Sequence, residues 1–157
     1  MAIRLDPKHL KVIKKQIADS KYNYEKALIY QLEYAVEEFI NHAKDNGEYT
    51  DRTSNLRSSI GGAVIKNGKA VSYKGFEIIG EQEDGVETGM EFLNKKIEEF
   101  RGSGIGIILV AGMEYAGYVE DYRGKNVIKK TELHALQEMP KLIRQVKRIF
   151  EKAGALT

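Results

Sequence analysis

A chain of 157 residues is long enough to bury one core without staples, and it has no cysteine, which removes disulfides, thiolate metal sites and cysteine nucleophiles. Charged residues make up 31% of it, yet the formal net charge is only +2, a balance that argues against a general nucleic-acid binder. The longest apolar stretch, Ile105 to Gly112, falls far short of the ~20 residues a membrane span needs, and an acid, Asp6, stands where a signal peptide needs an apolar segment.

One cytoplasmic domain over residues 1–157 is therefore expected. Asp6-Pro7 reads as an N-cap followed by proline at the first helical position. Leu10, Ile13 and Ile17 follow at helical spacing, the stripe lapses at Asp19-Ser20-Lys21, and it resumes from Tyr24 through Ile40. The reading is a short helix to about residue 18, a break or bend, and a long helix to about Lys44, with one unbroken helix as the alternative. Asn46-Gly47 is the stop.

A polar loop over 46–57 leads into β character at Ile60 to Lys66. The dipeptide Asn67-Gly68 then accepts the positive φ of a tight hairpin turn before Ala70 to Tyr73. A further strand is expected over Phe76 to Ile79. Met90, Leu93, Ile97 and Phe100 mark a helix that Thr88 would cap, and Gly102-Ser103-Gly104 ends it. Ile105 to Ala111, rich in β-branched residues, reads as a buried strand. The last helix begins near Thr131 and carries Pro140, which should kink or divide it. This order gives an α+β fold, an antiparallel sheet with a β-hairpin packed against a long N-terminal, a middle and a C-terminal helix.

Charge is unevenly placed. Glu77 to Arg101 holds eight acids against three bases, and Arg123 to Lys152 holds nine bases against three acids. Two solvated faces explain this, and so does an acidic face of one copy meeting the basic face of the next.

Little points to catalysis. His9, His42 and His134 are scattered; Glu38/His42 and His134/Glu138 sit four apart, the spacing of ordinary helix-surface pairs, where a metal site needs three or four ligands. Gly102-Ser103-Gly104-Ile105-Gly106 follows a helix and opens a strand, the reverse of a dinucleotide loop. Ser58 and Ser59 lack a nucleophile elbow and a local base, and Glu114, Glu120 and Asp121 alone do not define a hydrolase. No catalytic, cofactor-binding or metal-ligating residue is assigned.

Two segments carry a resemblance. Asp51-Arg52-Thr53-Ser54-Asn55-Leu56-Arg57-Ser58-Ser59-Ile60 resembles the pattern Asp-Thr-Gly-x-Leu-Arg-x-Ser-Ile that follows the first long helix in a family of siphophage neck proteins. Some 55 residues later, Met113-Glu114-Tyr115-Ala116-Gly117-Tyr118-Val119-Glu120 is similar to that family's Tyr-Ala-x-Tyr-Val-Glu. Ser54 stands where glycine is usual, and Asp121-Tyr122-Arg123-Gly124 replaces the commoner Phe-Gly-Thr, as in a variant branch.

The resemblance implies a structural virion or prophage protein of head–tail joining or tail completion, with no enzymatic activity and no cofactor. Its partners would be copies of itself in a ring, formed unaided or only once a partner surface supplies a template, and other neck or tail proteins. It would be made in the host cytoplasm and end in the virion neck or tail. The residues expected at the contact between copies are Arg52, Thr53, Leu56, Arg57, Tyr115, Tyr118 and Glu120, with Arg52 or Arg57 facing Glu120. Equally, both motifs close the fold, Leu56 and Ile60 anchoring the first strand in the core. A second function is a small nucleic-acid-binding regulator using Lys141, Arg144, Lys147, Arg148 and Lys152; a third, a small hydrolase, lacks a constellation.

Overall fold

The computed structural model describes residues 7–48, 50, 54–80, 83–113, 116 and 127–152, with the backbone alone at 9, 10, 13, 14 and 16–18. In chain order the regular elements are α1 (Pro7–Asp45), α2 (Asn55–Ser58), β1 (Ile60–Lys66), β2 (Lys69–Gly75), α3 (Asp84–Glu99), β3 (Ile105–Ala111) and α4 (Lys129–Lys152). The fold is α+β, as expected: a three-stranded antiparallel sheet in the order β2-β1-β3 with helices from the start, middle and end of the chain.

β1 is the middle strand. Gly61 to Lys66 pair with Gly75 to Lys69 through a bulge between Val64 and Ile65, and Ile60 to Lys66 pair with Ala111 to Ile105. Asn67 (φ 51) and Gly68 (φ 79) make the expected hairpin turn, and Asn67 also ties the hairpin to β3: its N–H donates to the Gly104 carbonyl at 2.8 Å, and its side-chain oxygen accepts from the Gly104 N–H at 2.9 Å. Both faces of the sheet are covered, which is why β1 is buried without alternation from Ile60 to Ile65. On one face α1 sets Leu32, Val36 and Ile40 against Ile60 and Val64, with Met139 and Leu142 of α4 beside them. On the other, Leu93 of α3 packs with Ala63, Ile65, Phe76 and Val110. Leu93 is 0% exposed, a burial that stabilises by about 1.5–3 kcal/mol.

One open alternative is decided, and three local expectations are corrected in whole or in part. The first helix has no break: α1 runs 39 residues, about 58 Å, through Asp19-Ser20-Lys21. None of those residues is glycine or proline, so losing the apolar stripe ends the helix's cover and leaves its backbone bonds intact. Phe76 to Ile79 is not a strand, because Gly75 (φ 83) and Phe76 (φ 59) both turn left-handed and take the chain off the sheet. The Phe76 ring is tucked over β1, where a Cβ on Gly61 would come 2.4 Å from it. Thr88 is no cap; α3 starts at Asp84 with Glu83 at the N-cap position. The signal was masked by Gly85 and Gly89, weak helix formers kept for close packing: a Cβ on Gly85 would lie 2.3 Å from the Asn55 carbonyl oxygen. Finally, of the two outcomes expected at Pro140, division does not occur: α4 runs through it from Lys129 to Lys152. The carbonyl left without its helical partner belongs to Leu136, a residue 65% exposed, where solvent can satisfy it.

Candidate interaction surfaces

The first family-like segment closes a corner of the protomer. Ser54 takes a left-handed conformation (φ 61) and opens α2 without a side-chain cap bond. Ser58 and Ser59 are both 0% exposed and fully employed. The Ser58 hydroxyl donates to the Ser54 carbonyl at 2.8 Å and accepts from the Ile79 N–H at 2.9 Å; the Ser59 hydroxyl donates to the Leu56 carbonyl at 2.7 Å. These serines pin a turn. The second segment meets the first here, since Leu56, Ala116 and Val127 form one buried cluster with Met113 against it.

Of the seven expected contact residues, Leu56 is 1% exposed and lies inside the protomer, where it anchors the chain entering β1. Arg57 sits half-buried on α2. Arg52, Thr53, Tyr115, Tyr118 and Glu120 lie outside the described residues, and with them the expected pairing of an arginine with Glu120.

Sequence reasoning missed a joint between α1 and α4. The rings of His42 and His134 stack at 4.7 Å and 10°, Phe39 meets His134 edge-on at 5.8 Å, and His42 Nδ1 is hydrogen-bonded to Thr131 Oγ1 at 2.7 Å. Burial and the neighbouring His134 hold the His42 imidazole below its usual pKa, with Asp45 acting against them. Of the pairs expected within single helices, Glu138 accepts from Lys141 at 2.8 Å, and Lys141 with His134 holds its carboxyl below the usual range; the Glu38 carboxylate instead raises the pKa of the Tyr34 hydroxyl. Among the described residues no group of three or more candidate ligands surrounds a metal position.

The outer surfaces of the two helical layers differ in charge. Away from the sheet, α3 presents Asp84, Glu87, Glu91 and Glu98 at helical spacing, with Lys95 alongside and Phe92 36% exposed among them. Lys96 is bound to Glu99 at 2.9 Å. On the opposite side of the sheet, α4 buries Thr131, Ala135 and Val146 and turns Lys141, Arg144, Arg148 and Lys152 to solvent along one flank. With Gln145 and Ile149 these four line a shallow groove of about 380 Å³. The other flank of α4 is apolar: Ala135, Leu136 and Met139 border a cleft of about 590 Å³ over Ile107 and Leu109 of β3. With the sheet between them, the acidic and basic surfaces of one protomer cannot neutralise each other.

Among the described residues α1 extends further than α4. It runs antiparallel to α4, from His42 beside Thr131 to Tyr24, whose ring meets Phe150 edge-on at 5.5 Å. α4 is described to Lys152, two residues further, so Pro7 to Lys21 project beyond its described end. No helix among the described residues is long and apolar enough to cross a membrane. Comparison with protein-family models, with curated proteins and with solved structures returns no match.

Proposed function

We propose that this chain is a structural, non-enzymatic protein of a phage or prophage, acting in head–tail joining or tail completion by assembling with copies of itself and with neck or tail partners. The observation that carries the assembly reading is the opposite charge of the two outer layers, the acidic ridge of α3 and the basic flank of α4, on opposite sides of one sheet. Complementary surfaces on opposite sides of a protomer make a head-to-tail contact, which closes into a ring when the rotation between copies allows it. Charge sets orientation and register there more than affinity.

Two local features support the family resemblance. Ser54 holds the left-handed φ that glycine favours, at the place where the family pattern has glycine. The two resembling segments also lie in one buried cluster through Leu56 and Ala116. Both speak for a shared corner of the fold.

A nucleic-acid-binding regulator is the second reading. It gains from the separation of the α4 basic flank from that helix's buried stripe, since the cations are not needed for packing. Mass measurement over a range of concentrations at low and high salt separates the two. The assembly reading expects species heavier than the protomer that dissolve as salt rises. A protomer that stays single while binding duplex DNA with a steep salt dependence moves the chain to the second reading. In a producing host, loss of the chain should leave filled heads unjoined to tails; infectious particles in normal yield contradict the neck role.

A further inference from the structure

We infer that the head-to-tail contact has an apolar anchor: Phe92 on α3 of one copy enters the groove between α1 and α4 of the next. The inference rests on the head-to-tail reading above and names the side chains that hold the contact.

The groove lies where α1 and α4 run side by side. Ala27, Tyr30, Val146, Ile149 and Phe150 make its lining largely apolar, with Gln31 among its polar members, around a volume of about 350 Å³. Tyr30 is 69% exposed and Ile149 60%, so two large side chains stand open to a partner. Ile149 also lines the groove of Arg144 and Arg148, so the apolar hollow opens directly onto the basic flank of α4. A small apolar centre beside a charged surface is the arrangement in which a few side chains carry most of a binding energy.

Charge chooses the occupant. Among the described residues the side chains of Arg144, Arg148 and Lys152 form no ion pair, and neither do those of Asp84, Glu87, Glu91 and Glu98 on α3. The two sets lie on opposite sides of one sheet, so only a second copy can bring them together. Phe92 is 36% exposed on the same outer surface of α3, next to Glu91. Lys96 lies over its ring at 5.3 Å, but Glu99 binds that lysine at 2.9 Å, so it brings no free charge against the basic flank. Lys95 makes no such pair, and the four acids outweigh it. Exposed ion pairs are screened by salt and contribute little affinity, whereas an aromatic ring moved from water into an apolar hollow contributes much. The acids and bases then orient the copies, and Phe92 holds them.

The test combines both sides of the contact in full-length chains. Phe92→Ala and Ile149→Gln should each weaken assembly about tenfold at every salt concentration. Combined, they should cost no more than either alone, because each removes the same contact. Ile149→Gln should leave the circular dichroism spectrum unchanged, since the side chain is 60% exposed. The absence of cysteine allows a direct check of position. Chain carrying Lys95→Cys, one turn from Phe92, is mixed with chain carrying Gln31→Cys in the groove, and a short bismaleimide should link them. Assembly that dissolves in salt but is unmoved by Ile149→Gln would keep the head-to-tail contact and overturn the anchor, even if Phe92→Ala weakened it through its own protomer. A hundredfold loss in the double variant would place the two side chains in separate contacts and overturn their pairing. A link between Glu91→Cys and Arg144→Cys without one to Gln31→Cys would likewise confine the contact to the charged flank. If the parent stays a protomer at every salt concentration, whether or not it binds duplex DNA, the assembly reading falls and the anchor with it.

Discussion

The two helical layers of this protein do the same job inward and opposite jobs outward. Inward, α3 and the α1–α4 pair each seal one face of a three-stranded sheet, α3 through Leu93 and the others through Leu32, Val36 and Ile40. Outward, the α3 layer is acidic, while the α1–α4 layer is basic. A charged helix face taken alone is simply a solvated face. Two of opposite sign, held apart by a sheet, give the molecule a direction, and a directed molecule stacks head to tail.

Breaking either layer tests the contrast. Leu93→Ala removes the largest wholly buried side chain of α3, and a loss of about 2–5 kcal/mol in urea unfolding is expected. If α3 positions the acidic ridge, assembly should fail in this variant at denaturant concentrations where the parent still associates. On the other layer, His42 joins α1 to α4 in its neutral form. Its pKa in the folded chain lies below the usual 6.5, so the stability it gives is complete above that pH and is lost as pH falls through the lowered value. Unfolding midpoints should drop on acidification below about pH 6.5, and His42→Gln should flatten that part of the profile. An unchanged profile would mean the stacked His134 and the Thr131 hydroxyl do not depend on the neutral ring. The smallest effect is expected at the corner under α3: Ser54→Gly relieves a left-handed serine and should stabilise by about 0.5–1 kcal/mol, read as a rise in the urea midpoint at constant slope.

Much of the fold was legible. Asn67-Gly68 placed the hairpin because few other dipeptides accept two positive φ values, and the β-branched run at Ile105 to Ala111 placed β3. The misreadings share a cause, namely that local pattern reports cover and packing as well as conformation. The stripe lapses at Asp19-Ser20-Lys21, one turn before the Tyr24–Phe150 contact, yet the α1 backbone runs through these residues undisturbed. Phe76 to Ile79 has strand-like composition, but the ring of Phe76 is needed over Gly61, and that requires the turn at Gly75.

The surfaces were legible only in part. Counting charges found the acidic and basic segments; that they face away from each other depends on the order of the layers, which no local signal carries. The His42–His134 pair joins residues far apart in sequence, and nothing near either histidine announces the other.

Charge exchange between copies is the most direct measurement of the head-to-tail contact. One chain carries Glu87→Lys/Glu91→Lys, a second carries Arg144→Glu/Arg148→Glu, and each is sized alone and then mixed in equal amounts at low salt. Each alone sets like charge against like and should remain a protomer. In the mixture every α3 meets an α4 of opposite sign, so assemblies of alternating chains should return. Protomers that stay single when mixed, although the parent chain associates under the same conditions, would contradict the account.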